Sequence, residues 1–240
     1  MTTTAPNPNP GPNPDRPLKL AAYALGAALV TVVLAAAVVP QAARFHAKGP
    51  PNTGHAALAC TDCHKEAPGT TRQQLQAKVQ FWLGGRANDA AFGHDRVGNA
   101  QCADCHAREQ DSHPVHRFLE PRFAEARAAL GAESCVSCHR EHSGVRVTMP
   151  ATACATCHGD LDLKREPLDV SHRELVARKD WDMCLGCHDF HGNHKRSAQT
   201  RLEAAYPAAA IRDYLAGGPS PYGTELKYPS KNHPSKTGGQ

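Results

Sequence analysis

Aromatic residues are scarce in this sequence: six Phe, five Tyr and two Trp make up 5% of 240 residues. Large rings normally supply much of a core, so side chains alone give this chain a thin interior. Methionine is scarcer, and Met149 and Met183 are the only internal thioethers. Charge of one sign is also missing. Lys and Arg number 27 against 23 Asp and Glu, a formal +4, too slight and too dispersed for a nucleic-acid surface. No alternating apolar pattern persists, which argues against a large sheet. A length of 240 residues allows one modest domain with appendages or two small ones, and excludes a large multidomain enzyme. What is plentiful is 10 Cys and 15 His, set among 19 Gly and 19 Pro.

The chain divides by composition. Residues 1–17 are Pro, Asn and Thr with almost nothing apolar, which predicts a disordered tail on the cytoplasmic side. Leu20 to Val39 carries no charge, and a helix of that length crosses the roughly 30 Å hydrocarbon layer. Residues 18–43 are therefore expected to form one transmembrane signal anchor. The run exceeds the 7–15 residues usual for a cleaved signal, so an uncleaved anchor is favoured over a removed secretory leader. Arg16 and Lys19 precede the span, although Arg44 and Lys48 follow it. The favoured orientation leaves the N-terminus in the cytoplasm and the rest outside the inner membrane, facing the periplasm. Residues 44–54 read as a linker, 55–195 as the domain that carries chemistry, and 196–240 as a helical then irregular C-terminal segment.

Within that domain the pattern predicts short helices and long loops. Residues 71–83 place Leu75, Val79 and Trp82 on one helical face and stop at Gly84-Gly85. Pro121 to Leu130 has Pro at its start and Gly131 just beyond its end. Ser171 to Glu174 and Thr200 to Glu203 both have the form of a capping box, and Pro207 interrupts or restarts a helix.

Every cysteine belongs to a C-x-x-C-H pentapeptide: Cys60, Cys63 and His64; Cys102, Cys105 and His106; Cys135, Cys138 and His139; Cys154, Cys157 and His158; Cys184, Cys187 and His188. Two thiols one helical turn apart can add to the two vinyl groups of a haem, and the next imidazole then reaches the iron. Zinc sites and disulfides also use paired cysteines, but neither requires the fifth residue. With 15 His in 240 residues, a His following all five pairs by chance has a probability of about one in a million. Five covalently attached haem c groups, each with its iron, are the expected cofactors. They would lie within residues 55–189 with fewer than 30 residues each. The expected fold is thus mainly helical and irregular, a haem-cored domain plus one transmembrane helix. The uneven motif spacing excludes a regular repeat.

These motifs and the single anchor resemble membrane-anchored, class III-like pentahaem cytochromes c, over residues 20 to about 195. The resemblance implies electron transfer in respiration.

The five motif histidines are the expected proximal ligands. Ten others compete for the distal positions, and so many His with so little Met points to bis-His iron. His142 and His191 each follow a motif His by three residues; His172 opens a helix behind Ser171; His55 precedes Cys60 by five residues. For the fifth site His94, His113 and His116 compete. His194 is intermediate, and His46 and His233 are expected at the surface. Iron with two imidazoles has no open position for a substrate, which points to outer-sphere electron transfer. Two propionates per haem would also turn the formal +4 to about −1 in the ferric state.

The expected function is to carry electrons between a quinol-linked donor in the membrane and acceptor proteins in the periplasm, without being an enzyme in its own right. Two alternatives stay open. One is direct quinol dehydrogenation near the first haem, with His55 or Lys65 assisting proton release. The other is reduction of a small anion such as nitrite at a haem with one open position.

Overall fold

A computed structural model of the protein describes residues 15–38 and 47–231. Most of the expected N-terminal tail, Arg44, His46 and the end of the chain with His233 lie outside them. The chain divides into two units, residues 1–48 and 49–240.

The first unit is one helix, α1 (Arg16–Val38). It begins a few residues before the uncharged run, because Pro17 is compatible with a first helical turn and the Lys19 N–H already bonds to Asp15 O at 3.0 Å. Residues 16–36 have a mean hydropathy of 2.0, long and apolar enough to cross a membrane. The Thr31 hydroxyl donates to Ala27 O at 2.8 Å, so the helix satisfies its own polar side chain.

The second unit is helical with long loops and, among the described residues, has isolated β-bridges but no strands. Its helices are α2 (Cys60–Cys63), α3 (Thr71–Trp82), α4 (Asn99–His106), α5 (Ala124–Leu130), α6 (Cys135–Cys138), α7 (Ala155–His158), α8 (His172–Arg178), α9 (Asp182–Cys187) and α10 (Ala208–Ala216). Short 3-10 turns, including Val115–Leu119 and Pro121–Phe123, lead into α5. Each motif is wound into a helical turn, with the histidine at or just past its end.

The ends of these helices follow local chemistry. Thr70 caps α3 reciprocally, its hydroxyl accepting Gln73 N–H while Gln73 Oε1 accepts Thr70 N–H at 2.8 Å. Gly131 closes α5 in the left-handed region, at φ +62°. Ser171 Oγ accepts Glu174 N–H at 3.2 Å and starts α8. The Thr200 box does not form. Residues Leu202–Ala204 are a 3-10 turn instead, because Asp169 draws that loop away: its carboxylate accepts Leu202 N–H at 2.7 Å and its own N–H donates to Thr200 O. Pro207 then starts α10.

Helix α3 forms where the pattern places it, with its apolar stripe outward: Leu75 is 52% exposed and Trp82 68%. Gln74 is buried instead, and its amide explains why. Nε2 donates to Ala67 O at 2.8 Å and Gly69 O at 3.0 Å, while Oε1 accepts Gly93 N–H at 2.9 Å. A buried amide with every group satisfied is a stable hub, and it turns the helix by this face toward loop 85–98.

Buried apolar side chains are few: Ala67, Ala126, Trp181, Ile211 and Tyr222 among the described residues. Ile211 of α10 is fully buried and α10 packs on α9. Gly186 permits that contact, since a Cβ there would stand 2.5 Å from Tyr206 O. The C-terminal segment then runs back over the domain: Lys195 N–H bonds Glu225 O, Lys227 N–H bonds Asn193 O, and Lys231 N–H bonds Cys105 O.

Candidate metal centres

The motif turns are neighbours in chain order. Helix α4 packs against both α2 and α6. Asn99 ties the latter contact, its Nδ2 donating to Glu133 O at 2.7 Å and its Oδ1 accepting Cys135 N–H at 2.9 Å. The Cys102 and Cys135 thiols are neighbours across this contact. Cys138 and Cys154, then Cys154 and Cys184, are likewise near one another.

Each motif histidine faces a second imidazole. The ring centres of His55 and His106 are 6.0 Å apart, those of His64 and His142 6.2 Å, His113 and His158 6.2 Å, His139 and His191 6.0 Å, and His172 and His188 6.3 Å. Two imidazoles on opposite sides of one metal, each nitrogen about 2 Å from it, would have ring centres about 6 Å apart. In four of the five pairs the partners come from distant parts of the chain. His142, three residues after the third motif, faces the first; His191, three residues after the fifth, faces the third.

The hydrogen bonds at the second ring of each pair are equally consistent. Nδ1 of His55 lies 3.0 Å from Glu141 Oε2, that of His172 2.7 Å from Glu166 Oε2, and that of His191 2.9 Å from Asp111 Oδ2. Nδ1 of His113 lies 2.6 Å from Phe190 O, and that of His142 3.2 Å from Gly49 O. Carboxylate and carbonyl oxygens only accept, so each neutral ring carries its proton on Nδ1. That leaves the Nε2 lone pair free for a metal. Among the motif rings, His139 Nδ1 is held in the same way by Arg146 O at 2.8 Å. Burial pushes His106, His139, His158 and His188 below the ordinary imidazole value, and Arg108 and His55 add to this at His106. The neutral ring is the ligating form.

The other histidines differ. His94 is a second ring near His64, at 5.9 Å and 75°, but it is exposed and no hydrogen bond fixes its ring among the described residues. The bridge between Glu66 and His94 and the period-2 alternation of extended chain put His94 beside His64. The angle between rings does not choose between them, since His113 and His158 stand at 80°; His142 differs from His94 in having its Nδ1 held, by Gly49 O. His116 is exposed and, among the described residues, has no ring facing it.

His194 is buried with both nitrogens engaged, Nδ1 2.9 Å from Asp189 Oδ2 and Nε2 3.1 Å from Ser220 Oγ. This Asp-His-Ser connectivity resembles a hydrolase relay, but Ser220 Oγ also accepts Tyr222 N–H, and the Tyr214 and Tyr222 rings pack against the imidazole. The cluster locks the C-terminal segment.

Among the described residues no group of three or more His, Cys, Asp and Glu converges on one point. The imidazoles come in twos, so a six-coordinate metal between them would take its other four ligands from a ring such as a porphyrin. Two guanidiniums also fit such a group. Among the described residues Arg196 Nε and Nη2 and Arg108 Nε are buried with no hydrogen-bond partner, while Arg196 Nη1 holds Cys187 O in the fifth motif and its guanidinium lies over the Tyr206 and Tyr222 rings. These nitrogens have the chemistry to receive propionates.

Sequence reasoning passed over Asp111, Glu141, Glu166, Arg108, Arg196 and Phe190. Glu141 stands beside His142 in the sequence but serves His55, a pairing that no local signal announces. No family model, no curated protein and no solved structure matches the chain.

Proposed function

We propose that this chain is a membrane-anchored pentahaem c-type cytochrome that carries electrons from a quinol-linked membrane donor to periplasmic acceptor proteins. The observation that carries this reading is the set of five motif histidines, each with a second imidazole at 6.0 to 6.3 Å. The ten motif cysteines would attach five haems, and each haem when bound supplies a one-electron couple.

The residues divide the work. His64 and His142, His106 and His55, His139 and His191, His158 and His113, and His188 and His172 would hold the five haem irons. Arg108 and Arg196 receive propionates. The contacts between successive motifs give a path in chain order, with the Phe190 ring between His113, at 4.2 Å, and His191, at 5.0 Å. Two imidazoles given to each haem iron would leave no ligand position for nitrite or a similar anion. The apolar helix α1 supports a bilayer anchor.

The test is haem content and spin state of the detergent-extracted protein, with and without carbon monoxide after reduction. Five low-spin haems indifferent to carbon monoxide are expected. A high-spin haem that binds it would instead favour the reductase reading.

Direct quinol oxidation is a second reading, supported by the exposed Leu75, Val79, Trp82 and Leu83 on and beside α3, just after the first motif. Such a surface suits a lipid-borne substrate. If it applies, L75S/W82S will lose reduction by a quinol analogue and keep reduction by dithionite.

A further inference from the structure

The five rings paired with motif histidines are not equivalent in what holds their Nδ1 protons. Three donate to carboxylates: His55 to Glu141, His172 to Glu166 and His191 to Asp111. Two donate to neutral backbone carbonyls: His113 to Phe190 and His142 to Gly49. An anionic acceptor draws the Nδ1 proton toward itself and makes Nε2 a stronger donor. A stronger donor favours the ferric over the ferrous state of the metal it holds.

We infer that Glu141, Glu166 and Asp111 are positioning residues that divide the five centres into three of low potential and two of high potential. The inference rests on the pentahaem reading above. The low set is His106 with His55, His139 with His191, and His188 with His172; the high set is His64 with His142 and His158 with His113. On reduction one electron enters each centre, no bond breaks, and each Nδ1 keeps its proton. Electrons at equilibrium therefore fill the first and fourth motifs before the second, third and fifth.

The three carboxylates also differ among themselves. Glu166 lies closest to its ring, at 2.7 Å, and among the described residues receives only the ring and backbone N–H of His172. Glu141 holds His55 at 3.0 Å and shares its other oxygen with Asn52 N–H at 2.7 Å. Asp111 is shared between His191, the His113 N–H and the Arg108 guanidinium at 3.5 Å, so part of its charge is already answered. The effect is ranked Glu166, then Glu141, then Asp111.

The test is redox potentiometry of the full-length holoprotein in detergent, followed optically and by EPR, with haem counted per chain. The wild type should reduce in two groups with amplitudes of two to three, the smaller group first. In E166Q, one-fifth of the signal should move to higher potential by about tenfold in its reduction equilibrium, about 59 mV for one electron. E141Q should move a different fifth by less, and D111N a third by the least. E166D should restore most of the wild-type curve. E120Q, at a surface carboxylate paired with Arg122 at 2.8 Å, should move nothing.

Unmoved potentials in all three variants, equal shifts across all five haems, or a wild-type curve without the two-to-three division would overturn the assignment while leaving the cytochrome reading intact. Fewer than five haems in the wild type would overturn both. If a variant does not fold, the wild-type amplitudes still decide.

Discussion

His113 and His116 lie three residues apart in the sequence, and the structure separates them. Only His113 faces a motif ring, His158, at 6.2 Å. On the proposed pentahaem reading, replacing His113 with Ala should remove the sixth ligand from one iron in five and leave the thioether links alone. Reduced H113A is expected to bind one carbon monoxide per chain, with five haems retained and about one-fifth of the ferric low-spin signal converted to high spin. The stability cost follows from the same contacts. The imidazole stacks on Phe190 at 4.2 Å and 15°, worth about 0.5–1.5 kcal/mol, and its hydrogen bond to Phe190 O contributes about as much. Together these predict a loss of about 1–3 kcal/mol, or a melting point lower by several degrees for a domain of this size. Exposed His116 serves as the control, and H116A should match wild type in spin state, ligand binding and melting. Carbon monoxide binding by H116A but not by H113A would refute the pairing, and binding by neither would show that His158 takes its partner elsewhere.

Three further outcomes test other parts of the structure. H194A removes the imidazole from Asp189, which keeps the backbone N–H of residue 194, and should cost about 1–2 kcal/mol in thermal or denaturant unfolding, while on the proposed reading all five haems stay low-spin; a high-spin haem in this variant would mean that His194 is a ligand. G186A forces a Cβ against Tyr206 O at 2.5 Å, so α9 and α10 must separate, at about 1–3 kcal/mol; an unchanged denaturation midpoint would contradict that packing. Asp89 is held below the ordinary carboxylate range by the hydrogen bond from Lys78. Its folded value is depressed, so its stabilising contribution is complete above the unfolded value and fades as pH falls through the folded one. Carbon-detected NMR should find the lowered carboxyl in wild type and its return toward normal in K78Q.

Chemistry that is local in the chain was legible from the sequence, and chemistry that depends on distant segments was not. The five cysteine pairs with their following histidines are visible because both thiols and the imidazole belong to one turn of chain. The same holds for the reciprocal Thr70 and Gln73 cap, the Ser171 cap, Gly131 and the apolar run of α1, each set by neighbours a few residues away. The Thr200 cap had the right residues and still did not form, because Asp169 from another loop competes for the backbone. The α3 stripe left its own packing open for a related reason: periodicity records which face is apolar, and Gln74 decided which face is buried. Only the tertiary structure could say that His142 returns to the first motif, that His113 rather than His116 faces His158, and that Asp111, Glu141 and Glu166 stand behind their histidines. An imidazole reveals its partner only when the chain has brought the two rings about 6 Å apart, and residue type and spacing do not encode that distance.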